Sequence, residues 1–139
     1  MKRKLFFLFV LICILAGVIY GQSEKNLTNT TKPTSIGMVI YSNDIETVWN
    51  ALRLANFSLK AGDTVTIFLL GKGVELDTLV KTNEELKEQT DLFLDWGGKI
   101  KGCGTCLQSR NLNSPKVCVY SSMADLYDVV RKNKIVLTF

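Results

Sequence analysis

The chain has 139 residues, of which 47% are hydrophobic, a size and composition typical of one globular domain. Three of the 17 basic residues lie at positions 2–4, which leaves 14 against 13 acidic residues in the remainder. That near-neutral remainder, without any basic cluster interleaved with aromatic residues, excludes a nucleic-acid-binding protein. The chain contains no histidine, so serine–histidine and cysteine–histidine catalytic pairs and histidine metal ligands are excluded as well.

Residues 1–21 have the composition of an export segment. A basic start is followed by an unbroken apolar run from Leu5 to Tyr20, as in a secretory signal peptide. The run is close to the ~17 residues that a membrane-spanning helix needs, so an uncleaved N-terminal membrane anchor is the alternative. Residues 22–35 are polar, contain two glycosylation acceptor triplets and predict a flexible linker. We therefore expect a secreted, periplasmic or membrane-anchored protein outside the cytoplasm.

Residues 36–139 predict a domain in which strands and helices alternate. Short apolar runs predict strands at 36–41, 64–70, 99–103 and 134–139, and a fourth strand or an extended segment at 116–120. Apolar residues at helical spacing predict long helices after the first, second and fourth of these strands, and a shorter helix follows the third. We expect Asn43 to cap the first helix, Thr82 with Glu85 to cap the second and Ser121 or Ser122 to cap the last.

This alternation predicts an α/β fold of three layers, with a mainly parallel sheet between helices on both faces. The carboxyl ends of parallel strands meet at one edge, where ligand sites of such sheets gather. The loops "YSND", "LLGKG", "GCGTC" and "YSS" should lie there. Asn43 and Asp44 in the first loop are candidate binding residues, and capping of the following helix is the other interpretation of both.

Cys103 and Cys106 form a C-x-x-C pair where the third strand meets the short helix. A structural zinc site needs four ligands, and Cys118, in an apolar strand, is expected to be a small buried side chain, so we predict no metal. A structural disulfide remains open, although so short a loop would contribute little stability. The helix start, Lys101 and Arg110 all favour a reactive thiolate at the pair. We expect Cys103 to be the more accessible thiol.

The segment "GCGTCLQSRNL", preceded by "FLDWGGKI", resembles the cysteine region of the DsrE/DsrF-like family, in its YchN-type branch. The stretches "WNALRLANFSLKAGDTVTIFLLGKGV" and "SSMADLYDVVRKNKIVLTF" resemble other parts of the same family, in the same order. The resemblance implies a five-stranded, mainly parallel flavodoxin-like sheet and a homotrimer or homohexamer. It also implies that Cys103 carries sulfur as a persulfide, with Cys106 as a common second cysteine and Arg110 as the family arginine. Asn111 replaces the usual glycine, and asparagine tolerates the same left-handed backbone.

Three functions remain open. In the first, Cys103 accepts sulfane sulfur and passes it on, which would make the chain a sulfur carrier or transferase. In the second, Cys103 and Cys106 cycle between dithiol and disulfide, and in the third the domain is a small-ligand or assembly module without turnover. We expect no cofactor and no nucleic acid partner. The expected partners are copies of the chain, a donor or acceptor protein or a small sulfur compound, and a membrane if the N-terminal segment is retained.

Overall fold

The computed structural model describes residues 32–139, and one compact unit runs from Pro33 to Phe139. The predicted export segment and residues 22–31 of the predicted linker lie outside the described residues. No helix within residues 32–139 is long and apolar enough to cross a membrane.

Five parallel strands form one sheet in the order β4-β3-β2-β1-β5, which confirms the predicted α/β fold. The first two strands of the chain are rich in buried apolar residues, as expected for strands covered by helices, whereas the two edge strands are more exposed. The strands are β1 (Ser35–Ile40), β2 (Thr64–Leu69), β3 (Lys99–Cys103), β4 (Val119–Ser121) and β5 (Ile135–Thr138).

The helices follow the strands in the predicted order. They are α1 (Ile45–Lys60), α2 (Leu76–Leu79), α3 (Glu84–Asp95), α4 (Gly104–Gln108) and α5 (Met123–Lys132), and a 3-10 turn (Gly71–Glu75) precedes α2. Helix α1 packs against α3, and α5 packs against β1 and β2. The chain steps from β1 to β4 across the sheet in one direction and then returns past β1 to β5. Right-handed crossovers therefore put α5 on the opposite face from α1 and α3.

The core lies on both faces of β1 and β2. Gly37 admits α5 so closely that a Cβ there would stand 2.8 Å from Val129 Cγ1. The alternate residues Met38 and Ile40, at most 1% exposed, point to the other face of the sheet. Phe93 of α3 is fully buried and covers Gly98, where an added Cβ would meet the aromatic ring at 2.4 Å.

The structure corrects two of the predicted helix caps and the bounds of the fourth strand. Asp44, rather than Asn43, caps α1, because its Oδ1 accepts the Thr47 N–H at 2.9 Å. Asn83, rather than Thr82, caps α3. The fourth strand begins at Val119 because residues before it are held by Asp77, which accepts the Lys116 and Val117 N–H groups. The cap at Ser122 is confirmed.

We predict that Phe93→Ala lowers the free energy of unfolding by about 3–5 kcal/mol, since it removes an aromatic side chain from a sealed core. Phe57→Ala on α1 is the matched control, because Phe57 is 54% exposed and its loss leaves no cavity. Urea denaturation of both variants tests the prediction. Equal losses for the two variants would contradict the placement of Phe93 in the core.

Candidate thiol site

The thiol pair stands where β3 becomes α4. Cys103 is the last residue of β3 and also the N-cap residue of α4, and Cys106 lies within the first turn of that helix. Strand β3 runs between β2 and β4, with Gly102 opposite Leu69 and Cys103 opposite Ser121. The predicted position of the pair at the carboxyl edge of the sheet is therefore found in the structure.

The glycines that flank Cys103 make room for neighbouring side chains. A Cβ on Gly102 would lie 2.6 Å from Cys118 Sγ. A Cβ on Gly104 would lie 3.0 Å from the Tyr120 ring. Both positions are thus fixed by close packing around the end of β3, which holds the backbone of Cys103 in place.

The expectation that Cys103 is the more accessible thiol is wrong. Cys103 is only 6% exposed and belongs to the hydrophobic core, whereas Cys106 is half-buried. The reason is that Cys103 ends a strand paired on both sides, while Cys106 stands one residue beyond Thr105 on a helix at the surface. Cys103, Cys106 and Cys118 are all free thiols in the structure.

The pKa of the Cys106 thiol is raised, contrary to the expected effect of a helix start. Burial is the largest cause, and a hydrogen bond with the Cys103 thiol raises the pKa further. A hydrogen bond from the Gly71 N–H and the charge of Arg110 oppose this increase without cancelling it. Desolvation therefore outweighs the groups that favour the thiolate. Cys106 therefore stays protonated at neutral pH.

Cys118 behaves as the small buried side chain that the sequence predicts. It is 8% exposed, and burial, together with the charge of Asp77, raises the pKa of its thiol to about 11. Its sulfur packs against the position of Gly102, on the strand that ends at Cys103. Its role in the fold is to fill the space beside β3.

A carboxylate that the sequence analysis missed connects two of the predicted site residues. Glu75 Oε2 accepts a hydrogen bond from Asn43 Nδ2 at 2.9 Å, and Glu75 Oε1 accepts one from Arg110 Nε at 2.9 Å. Arg110 Nη1 also donates to the Cys106 carbonyl oxygen at 3.2 Å. The hydrogen bonds from Asn43 and Arg110 hold the pKa of Glu75 below its usual range. The loop after β2 was predicted to lie at this edge, but no local pattern singled out Glu75 within it.

Two other charged residues serve the scaffold. Asp44 caps α1, and the hydrogen bonds from Thr47 lower the pKa of its carboxyl. Lys101, expected to favour a thiolate, instead forms an ion pair with Asp125 of α5 at 2.7 Å, so its charge is compensated. Of the predicted site residues, the structure therefore brings Cys103, Cys106, Arg110 and Asn43 together, and it contains no contact between Asp44 and this group among its described hydrogen bonds.

The described part of the chain contains no group of three or more cysteine, aspartate or glutamate residues arranged to hold a metal ion.

Asn111, which follows the arginine, adopts the left-handed backbone that its position requires, with φ of 57°. It ends the segment after α4 and turns the chain so that the Leu112 N–H reaches the Leu107 carbonyl at 2.9 Å. This turn keeps Arg110 beside Cys106.

The fold and the site together define a parallel α/β domain with a dithiol at the carboxyl edge of its sheet. A family model described as the DsrE/DsrF-like family matches residues 35–139, which is the whole folded unit except for its first residues. The chain belongs to the DsrE/DsrF-like family. Membership supports a role related to sulfur relay in general terms.

Relatives and solved structures agree with this assignment. An uncharacterized protein of Methanopyrus kandleri is 30% identical over 88 residues, covering 61% of this chain and 73% of that protein. An uncharacterized protein of Methanocaldococcus jannaschii is 29% identical over 100 residues, covering 68% of this chain and 88% of that protein. A conserved protein of unknown function from Bacteroides thetaiotaomicron has the same fold, with a TM-score of 0.64, 18% identity, and coverage of 76% of this chain and 95% of that one.

We predict that, of the three cysteines in the described domain, iodoacetamide alkylates Cys106 first, Cys103 second and Cys118 last in the native reduced protein. The order follows exposure, and the pKa of about 11 at Cys118 slows that thiol further. Peptide mapping of samples quenched at successive times measures the three rates. In urea the three rates should converge, and a native order led by Cys103 would contradict the burial described above.

Proposed function

We propose that the chain handles sulfane sulfur at the Cys103–Cys106 pair, with Cys103 as the persulfide carrier. The observation that supports this proposal best is the placement of two free thiols, one on the last residue of β3 and one in the first turn of α4, at the carboxyl edge of a DsrE/DsrF-like domain. Arg110, which matches the arginine expected from the family resemblance, lies beside them. The chemistry needs nothing beyond a thiolate and a donor of sulfane sulfur.

The proposed first step is transfer of one sulfur atom to Cys103. With thiosulfate as donor, the Cys103 thiolate attacks the outer sulfur, a new S–S bond forms and sulfite leaves with the electron pair of the broken S–S bond. Because Cys103 is only 6% exposed, a small donor reaches it more readily than the surface of a folded donor protein. The enclosed position also shields the resulting persulfide from other thiols.

The second step depends on Cys106. If the Cys106 thiolate attacks the Cys103 sulfur, hydrosulfide leaves and a Cys103–Cys106 disulfide remains, so the sulfane sulfur is reduced as the two thiols are oxidised. A dithiol reductant would be needed to restore the pair. Since the raised pKa keeps Cys106 protonated at neutral pH, this attack is slow there and the persulfide survives for transfer to an acceptor.

We predict that the reduced protein gains the mass of one sulfur atom when it is incubated with thiosulfate at neutral pH. Cys103→Ser should abolish the gain, whereas Cys106→Ser should retain it and make it longer-lived. Intact-mass spectrometry measures the gain, with Cys118→Ser as the control for a buried cysteine outside the pair. Release of sulfide from the loaded protein should accelerate as the pH rises toward the raised pKa of Cys106, and only when Cys106 is present.

The same experiment separates the alternatives. Loss of two hydrogens that requires both cysteines, without a gain of sulfur, would favour the dithiol–disulfide protein. The observation that favours this second function is the placement of two free cysteines three residues apart, where β3 meets α4. If the protein neither gains sulfur nor loses hydrogens, the result would favour a binding module and contradict both thiol functions.

We also propose that the domain associates with further copies of itself, through the side of α5 turned away from the sheet. Met123, Tyr127 and Val130 recur at helical spacing on this side and are 65%, 64% and 47% exposed. Soluble monomers rarely expose several large apolar side chains side by side. Tyr120, 40% exposed and packed at Gly104, extends this α5 surface toward the thiol pair.

Export of the protein, as a secreted or membrane-tethered form, remains our proposal from residues 1–21.

We predict that Tyr127→Lys weakens self-association by about tenfold or more, since it places a charge in the centre of the α5 surface. Sedimentation velocity over a range of protein concentrations measures the effect. Leu54→Lys is the matched control, because Leu54 is 42% exposed on α1, away from that surface. A wild-type chain that stays monomeric at high concentration, or an equal effect of the two variants, would contradict the proposal.

A further inference from the structure

Glu75 connects three loops at the carboxyl edge of the sheet. It ends the 3-10 turn that follows β2, and its side chain is 31% exposed. Its two carboxylate oxygens accept hydrogen bonds from Asn43, in the loop after β1, and from Arg110, in the segment after α4. One side chain therefore fixes the relative positions of the loops around the thiol pair.

Arg110 extends this connection to Cys106. Its Nε donates to Glu75, while its Nη1 donates to the Cys106 carbonyl oxygen and to Ser109 Oγ, both at 3.2 Å. The guanidinium is thus held between the carboxylate and the helix that carries the more exposed thiol. Because Ser109 and Cys106 also hold it, the arginine has contacts that persist if Glu75 loses its charge.

We propose that Glu75 is a positioning residue of the thiol pair, which orients Arg110 against α4 and compensates part of its charge, and so limits the nucleophilicity of Cys106. This inference rests on the proposed function, because limiting the nucleophilicity of Cys106 matters only if the pair handles sulfur. Glu75 acts through Arg110 and needs no contact with a substrate.

The charges around the pair define the direction of the effect. Cys106 interacts with the Cys103 thiol, the Gly71 N–H and Arg110, and Glu75 interacts with Asn43, Arg110 and Lys72. Glu75 is the carboxylate among these groups. Its neutralisation would leave the positive charge of Arg110 uncompensated beside Cys106, and an uncompensated positive charge favours the thiolate.

The test measures alkylation of Cys106 against pH in the reduced full chain, by peptide mapping, for Glu75→Gln, Arg110→Gln and the double variant. We expect Glu75→Gln to raise the rate near neutral pH by about threefold and to lower the midpoint of the pH–rate profile. Arg110→Gln should lower the rate and raise the midpoint. Since Glu75 acts through Arg110, the double variant should match Arg110→Gln.

Two further variants separate charge from structure. Glu88→Gln removes an exposed carboxylate from α3 and controls for the change in net charge, so it should leave the profile unchanged. Glu75→Asp keeps the charge on a shorter side chain and should return the midpoint most of the way to the wild-type value. A carboxylate with only a structural role would be disrupted by aspartate as much as by glutamine.

The inference is overturned if Glu75→Gln leaves the profile unchanged, if it has the same effect with and without Arg110, or if Glu75→Asp is as disruptive as Glu75→Gln. Circular dichroism shows whether each variant is folded. If Glu75→Gln does not fold, Glu75→Asp must keep the wild-type midpoint and Arg110→Gln must raise it, and any other result overturns the inference. Alkylation needs no sulfur donor, so this result is independent of whether the chain accepts sulfur.

Discussion

The pairing of β3 between β2 and β4 is the constraint on which the thiol site depends. It fixes the backbone of Cys103 from both sides, opposite Ser121 on one strand and beyond the Leu69–Gly102 pair on the other. Helix α4 starts at the next residue, so the position of Cys106 follows from that of Cys103. The 3-10 turn after β2 then packs against α4. The site is thus a consequence of parallel strand pairing.

Burial outweighs charge in setting the reactivity of this edge. The helix start, Arg110 and the Gly71 N–H all favour a thiolate at Cys106, yet desolvation and the neighbouring thiol leave its pKa raised. The cations near the pair are also compensated, Arg110 by Glu75 and Lys101 by Asp125. Under the function that we propose, a second thiol that is present but protonated would leave the persulfide on Cys103 intact until an acceptor arrives. The same two thiols would release sulfide if Cys106 were deprotonated.

The α5 surface adjoins the thiol pair through the short strand β4. Cys103 is paired with Ser121, and Gly104 is in close contact with Tyr120, whose ring is also part of the exposed apolar area. A second copy bound there would cover one side of the site and narrow the path to Cys103. Association and access to the thiol would then be linked by geometry, without any movement of the domain.

Local patterns in the sequence were enough to predict the parallel α/β class, the order of its elements and the position of the thiol pair. Apolar runs mark buried strands, helical spacing marks the helices between them, and the end of one such strand coincides with Cys103. The left-handed backbone at Asn111 was expected from the family resemblance, which implies a glycine at that position, and asparagine tolerates the same backbone. The cap position was not predictable from sequence, since Asn43 and Asp44 are adjacent and chemically alike. The backbone conformation at the start of α1 determines that Asp44 accepts the Thr47 N–H.

The exposure of each thiol and the role of Glu75 came from the three-dimensional arrangement. Burial of Cys103 depends on strands and helices that are distant in sequence. The two glycines that flank Cys103 suggested an accessible sulfur, but in the structure they make room for Tyr120 and Cys118. Glu75 lies 35 residues from Arg110 in sequence, and no periodicity relates two loops that meet only after the sheet has formed. Residue types and spacing are local properties, whereas desolvation and charge compensation depend on which distant groups the folded chain brings together.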